Sequence, residues 1–313
     1  MTESEFIALM RGIAGDPAAR GLEDDAAVME FGDRTLVLTH DMIVEGVHFL
    51  GKDPPGDVAW KLLAVNLSDL AAKGARPVGA LLGYTLGEAD WDRAFAEGLK
   101  SAASAFGIAL LGGDTVSAPT GSARTFGLTA IGEAAGAVPS RAGARAGDHL
   151  WVSGTIGDSG AGLKLLKAGI AGGRSLVERY RNPRPRLEAG QRLAPLVGAM
   201  MDVSDGLLID SGRMAAASKA AIRIDIGLIP LSEAFLGAMG EAREARLFAA
   251  SAGDDYELLF AAAPERSPEI NGLADEIGLP LSRIGEIEAG EGLSLCDGDE
   301  PIALPDRLGW EHR

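Results

Sequence analysis

The aspartates of this chain stand where charge is hardest to accommodate. Asp24 and Asp25 precede Ala26-Ala27-Val28, Asp41 follows the apolar run 35–39 (TLVLT), and Asp69 lies late on an Ala/Leu-rich stretch. Asp114 follows Gly112-Gly113, Asp202 and Asp205 flank Val203-Ser204 just before Gly206, and Asp254-Asp255 follow Gly253. A carboxylate beside an apolar strand is costly unless it gains a partner charge or hydrogen bonds. Too few basic residues are interleaved to pair them all, because 45 Asp plus Glu face 29 Lys plus Arg, a net charge of −16. A shared divalent cation is the economical solution. With only carboxylates, hydroxyls and carbonyls on offer the ion is a hard one, Mg²⁺ first and Mn²⁺ or Ca²⁺ next. Taken singly, an Asp after a strand is a turn residue or a helix cap, and Asp57 and Asp90 are read outright as caps. The metal reading therefore rests on how many such sites share one chain.

The same acidic surplus argues against broad contact with nucleic acid, which needs clustered Lys and Arg, and against an anionic membrane surface. One cysteine, Cys296, permits no internal disulfide and no cysteine-based zinc site, and the histidines show no HExxH spacing. No apolar run is long enough to span a membrane, and the N-terminus has early acids rather than a secretory signal, so a cytoplasmic protein is expected. The segment 157–164 (GDSGAGLK) has Leu163 where a P-loop needs lysine, and no GxGxxG follows a strand. Any use of ATP therefore runs through neither a P-loop nor a Rossmann site. Glycine-rich turns at 112–113 and 154–160 are either phosphate cradles or plain tight turns. The segment 202–206 (DVSDG) has Asp where a nucleophile elbow needs its first glycine, and no histidine stands out as a triad partner.

A length of 313 residues favours two domains. Strands are expected near 35–39, 78–86, 108–111, 124–133, 149–153, 222–226 and 256–261. Helices are expected over 57–73, 90–106, 157–168, 187–197 and 206–218, from their apolar spacing and glycine or aspartate ends. Residues 180–186 (YRNPRPR) read as a proline-broken basic loop. Strands pair as well as alternate with helices, which makes the fold α+β. The Gly/Ala-rich segment 134–148 is the best place for a boundary, giving expected domains 1–136 and 137–313.

Eight segments, in order, carry a resemblance: 22–28 (LEDDAAV), 39–49 (THDMIVEGVHF), 66–77 (NLSDLAAKGARP), 110–115 (LLGGDT), 140–148 (SRAGARAGD), 152–163 (VSGTIGDSGAGL), 202–210 (DVSDGLLID) and 251–260 (SAGDDYELLF). Together the chain resembles the thiamine-monophosphate kinase family, in the aminoimidazole-ribotide synthetase superfamily. The resemblance implies a two-domain α+β protein of that architecture, a homodimer pairing its N-terminal sheets, with ATP and several Mg²⁺ ions in the cleft between domains. It implies transfer of a phosphoryl group from ATP to thiamine monophosphate, giving thiamine diphosphate. It implies Asp25, Thr39, Asp41, Asp69, Asp114, Asp202 and Asp205 as metal ligands. Gly113, Asp114, Arg141 and Ser204 are implied as ATP contacts, and His48, Asp254 and Trp310 as substrate contacts. Trp310 is otherwise an ordinary packing residue near a chain end. Glu23, His40 and Asp254 depart from the family pattern, the last by one methylene. Another ATP-dependent member of the superfamily, or a non-catalytic acidic nucleotide-binding module, is the alternative.

Overall fold

Two sheets organise the chain, and they differ in how many of their faces are covered. The computed structural model describes residues 1–311, without the side chains of Glu3 and Ser4. The first part runs α1 (Glu3–Arg11), β1 (Ala27–Phe31), β2 (Arg34–Val44), α2 (Pro55–Ala72), β3 (Ala75–Leu86), α3 (Ala89–Phe106), β4 (Ala109–Ser117) and β5 (Thr125–Ala134). Its five strands lie in the order β1-β2-β5-β3-β4, with only β3 and β4 parallel. Because side chains alternate along a strand, Val37, Thr39, Asp41 and Ile43 of β2 share one face. That face packs on Leu62, Leu63 and Leu70 of α2 and on an aromatic cluster including Tyr84, Trp91, Phe95 and Phe126. Among the described residues no helix covers the opposite face, and Phe31, Met42 and Leu81 stand exposed there.

The second part runs β6 (His149–Ser153), α4 (Asp158–Ala168), α5 (Arg174–Arg181), α6 (Leu187–Leu193), β7 (Ala199–Val203), α7 (Leu207–Ser218), β8 (Ala221–Asp225), α8 (Glu233–Met239), α9 (Arg243–Ser251), β9 (Glu257–Ala262), α10 (Ser267–Ile277), β10 (Leu281–Glu288), β11 (Gly292–Asp297) and β12 (Glu300–Ile302). Its seven strands lie in the order β12-β11-β8-β10-β6-β9-β7. Both faces are covered. Leu259 and Ala261 of β9 join a core with α4, α7 and α9, while Leu258 and Phe260 join one with α6 and α10. The fold is α+β, as the element pattern implied. Ala71 and Ala72 of α2 belong to the second of these cores, so the long helix locks the halves together. At that crossing a Cβ on Gly190 would lie 1.9 Å from the Ala71 carbonyl oxygen, so only glycine permits it. Residues 135–148 contain no helix or strand and link the sheets.

Local expectations differ in a few places. Neither Asp57 nor Asp90 is a cap: the cap positions are Pro54 and Glu88, without side-chain cap bonds. Proline at the first position fixes the start of α2 two residues before Asp57, and both aspartates fall in the first turn, where they complement the helix dipole. Asp57 also accepts a hydrogen bond from Asn182 Nδ2 at 3.3 Å. Gly107 ends α3 in the left-handed conformation at φ 65°, as its sequence position suggested. The basic loop is shorter than expected, since Tyr180 and Arg181 close α5. Among the described residues no helix is long and apolar enough to cross a membrane.

Candidate active site

A cleft of about 1590 Å³ opens between the two parts of the chain. Three carboxylates meet in it from three elements: Asp25 from the turn before β1, Asp69 from α2 and Asp202 from β7. One oxygen from each lies within 4.8 Å of the others. Thr39 donates its hydroxyl to Asp69, and the Ser68 hydroxyl donates to Asp202 at 2.6 Å. Asn66 accepts from the Asp41 backbone N–H at 3.0 Å, which seats β2 on α2. Basic groups gather on one edge. Arg141 Nε donates to Asp25 at 2.7 Å, and Lys73 Nζ lies 2.7 Å from the other Asp25 oxygen while also meeting Asp24.

The electrostatics follow from this lopsided pairing. Burial opposes ionisation of Asp24, but Lys73 and then Arg20 outweigh it and hold the group below its ordinary value. Asp69 and Asp202 are pushed well up, by burial first and then by the neighbouring aspartates. Asp41 is pushed up to about 6 by burial, with Asp25 and Asp205 adding to it. Buried carboxylates that repel one another in this way are short of positive charge. An all-oxygen donor set with a charge deficit fits a hard divalent cation.

The loop after β7 is shaped by a residue that motif reading did not single out. Asp210 Oδ2 accepts the backbone N–H groups of Ser204, Asp205 and Gly206 at 3.1–3.2 Å. This cradle presents Ser204 and Asp205 to the cleft, and Arg213 braces it by donating to Asp205 at 2.6 Å. The Trp310 backbone N–H donates to the Asp205 carbonyl at 2.9 Å, which brings the chain end to the same cleft. His48 accepts the Val44 N–H on Nδ1 at 3.0 Å, so its proton sits on Nε2. Asp254, on the loop before β9, takes Lys61 Nζ on one oxygen at 2.9 Å and the Tyr256 hydroxyl on the other at 3.0 Å.

The cleft is thus lined by Asp25, Asp41, Asp69, Asp202, Asp205, Arg141, Ser204, His48, Asp254 and Trp310. Thr39 joins through its bond to Asp69. Gly113 and Asp114 do not join within one chain. Asp114, Gly83, Gly127 and Met42 stand in register across β4, β3, β5 and β2. Asp114 therefore shares the uncovered face with Met42, about 14 Å away over three strand spacings, while Thr39 and Asp41 point to the other face. A separate pocket of about 280 Å³ there is lined by His40, Met42 and Asp114. Lys61, Lys73 and Asp210 escaped the motif reading. The available signal was a lysine set inside an apolar helix pattern, as in 60–65 (WKLLAV), and an acid inside the apolar run 207–210 (LLID).

Residues 23–134 match the model for AIR synthase related protein, N-terminal domain, and 145–297 that for AIR synthase related protein, C-terminal domain. Thiamine-monophosphate kinase of Caulobacter vibrioides is 42% identical over 99% of this chain and 91% of that protein. The chain belongs to the thiamine-monophosphate kinase family. Among solved structures, the kinase of Stenotrophomonas maltophilia aligns with TM-score 0.80 at 39% identity over 96% of each chain. The structure of AaThiL complexed with AMPPCP and TMP aligns with TM-score 0.87 at 30% identity, over 100% of this chain and 97% of that one. Membership of the kinase family accounts for the cleft's most unusual property, an acidic floor in a protein that handles phosphates.

Proposed function

We propose that this chain phosphorylates thiamine monophosphate to thiamine diphosphate, using ATP and Mg²⁺ and releasing ADP. The observation that carries the reading is the convergence of Asp25, Asp69 and Asp202 on one point of the cleft. Asp25, Thr39, Asp41, Asp69, Asp202 and Asp205 hold Mg²⁺ in this reading. Bound there, Mg²⁺ neutralises and orients the phosphates of two anionic reactants. Arg141 meets ATP phosphate as a forked donor, and Ser204 is a further ATP contact. His48 and Asp254 face the thiamine end, and the indole of Trp310 stacks on its cationic ring. The attacking phosphate oxygen is already ionised at neutral pH, so the protein supplies neither a nucleophile nor a strong base. The boundary between the domains falls at 136–137, and the enzyme works in the cytoplasm.

Purified protein given ATP, Mg²⁺ and thiamine monophosphate forms thiamine diphosphate and ADP, followed by chromatography. Absence of thiamine diphosphate overturns the kinase reading, and ATP binding without turnover supports the non-catalytic module instead.

The same reading makes the protein a homodimer. The uncovered face of the first sheet exposes Phe31, Met42, Leu81 and, on the edge strand β4, Leu111 and Val116. An apolar face of this extent is what a second copy covers. Gly113 and Asp114, remote from their own chain's carboxylates, then serve the second copy's ATP site. Asp114→Asn and Asp202→Asn subunits, each inactive alone, recover activity when co-expressed, because one site of the mixed dimer has both aspartates. A monomer by light scattering, or no recovery in the mixed dimer, overturns this arrangement.

A further inference from the structure

Lys61 is a lysine in an unusual place. It sits on α2 between Trp60 and Leu62, and 2% of its side chain is exposed. Burying an ammonium is unfavourable unless its donors are met. Here they are met by groups from different parts of the chain. Lys61 Nζ donates to the His48 carbonyl oxygen and to Asp254 Oδ2, at 2.9 Å each. It also lies 4.1 Å from the centroid of the Tyr180 ring on α5, a cation–π contact. One side chain of the first part thus ties its own 44–53 loop to two segments of the second part.

The loop it reaches is held under backbone strain. Asp254 and Tyr256 have φ of 69° and 51°, the left-handed region that side chains other than glycine rarely adopt. Such strain persists only where the surroundings over-determine it. Two bonds fix the backbone, Asp254 N–H to the Ser204 carbonyl at 2.7 Å and Tyr256 N–H to the Val203 carbonyl at 2.8 Å. The side chain is fixed from both oxygens, by Lys61 and by the Tyr256 hydroxyl.

We propose that Lys61 is a positioning residue for the thiamine end of the substrate. It acts through Asp254 and the His48 loop, and the proposal rests on the reading of those two as substrate contacts. Lys61 holds the Asp254 carboxylate in one orientation at the cleft wall and balances its charge. Asp254 then works as a fixed hydrogen-bond acceptor rather than a free counter-ion. Lys61 does not reach the carboxylates that meet at Asp202, so its loss leaves the ATP side of the cleft intact.

The test separates the two ends of the site. Lys61→Met keeps the length of the side chain and removes the ammonium. The KM for thiamine monophosphate rises about 10- to 100-fold, the scale of one charged hydrogen bond, while the KM for ATP stays unchanged. Lys61→Arg, which keeps the charge, recovers part of the loss. The Lys61→Met, Asp254→Asn double variant is no worse than the poorer single variant, because both act through one group. An unchanged KM for thiamine monophosphate, an equal rise in both KM values, or additive losses in the double variant overturns the proposal. If Lys61→Met does not fold by thermal melting, Lys61→Arg decides alone, with a shifted KM for thiamine monophosphate only as the expected result. Wild-type protein that makes no thiamine diphosphate sinks the kinase reading, whereas an active wild type with indifferent Lys61 variants sinks this proposal alone.

Discussion

Two acidic sites of the molecule, Glu257 with its partners and the carboxylates of the cleft, are built on opposite terms. Glu257, at the start of β9, is fully buried and meets two arginines and a hydroxyl. Arg186 Nε donates to it at 2.7 Å, Arg179 Nη2 at 2.6 Å and Ser153 Oγ at 2.6 Å. Two cations from the chain thus surround one carboxylate. In the cleft the balance runs the other way. Arg141 and Lys73 both converge on Asp25, while Asp69 and Asp202 are met by the hydroxyls of Thr39 and Ser68. A carboxylate compensated by its own chain is architecture, and it fixes α5 and the 182–186 loop to the sheet. Carboxylates left short of charge are held ready for cations from outside, at a standing cost to the fold.

The sharpest way to break this contrast is to neutralise one acid from each site. Asp202→Asn retains an acceptor for Ser68 but loses a metal-binding charge. Turnover is expected to fall by roughly two orders of magnitude or more. The metal-free protein should meanwhile melt higher, since one of several repelling charges is gone. Glu257→Gln goes the opposite way in stability. It leaves the partly buried Arg179 and Arg186 without the charge they share, a loss of about 3 kcal/mol that lowers Tm by several degrees. Steady-state kinetics and calorimetry without metal check both. Near-wild-type turnover in Asp202→Asn, or melting shifts of the same sign in both variants, removes the distinction.

How much of this was legible in the sequence depended on whether the physical cause was local. Strand β6 and the glycine-ended helix α3 carry their own signals, so they appear nearly where patterning puts them. The aspartates at Asp25, Asp69 and Asp202 were legible as misplaced charges, because each sits in an apolar or glycine-rich context that a single residue window reveals. Their partners were not. Lys73 and Asp24 are 49 positions apart, and Lys61 and Asp254 are 193 apart. Only the folded α2, threading between both halves, brings them together. Asp210 was missed for a subtler reason. Its function is to cap the backbone of its own loop, and an acid in the first turn of a helix reads as ordinary dipole compensation. The face on which Asp114 lies was equally hidden, since strand register alone decides it.

The smallest expected effect is a pH dependence, and its sign follows from the same charge deficit. Asp41 is pushed up to about 6 by burial and its acidic neighbours, and Asp210 to about 7, chiefly by burial, from an ordinary value of 3.8. Between about pH 4 and pH 7 the folded, metal-free protein therefore binds more protons than the unfolded chain. Its stability falls as pH rises through that window. Asp24, held below its ordinary value by Lys73 and Arg20 against its burial, works the other way, but only as pH drops below about 4. Calorimetry without metal should thus give a Tm a few degrees lower at pH 7.5 than at pH 5. Mg²⁺ should close the gap, because it stabilises the ionised carboxylates and binds better as they lose protons. Asp202→Asn should flatten the slope, and Glu257→Gln should keep it while lowering the whole curve. A metal-free Tm that climbs from pH 5 to pH 7.5 would mean that the cleft carboxylates are already balanced by the chain, which would place them in the same class as Glu257.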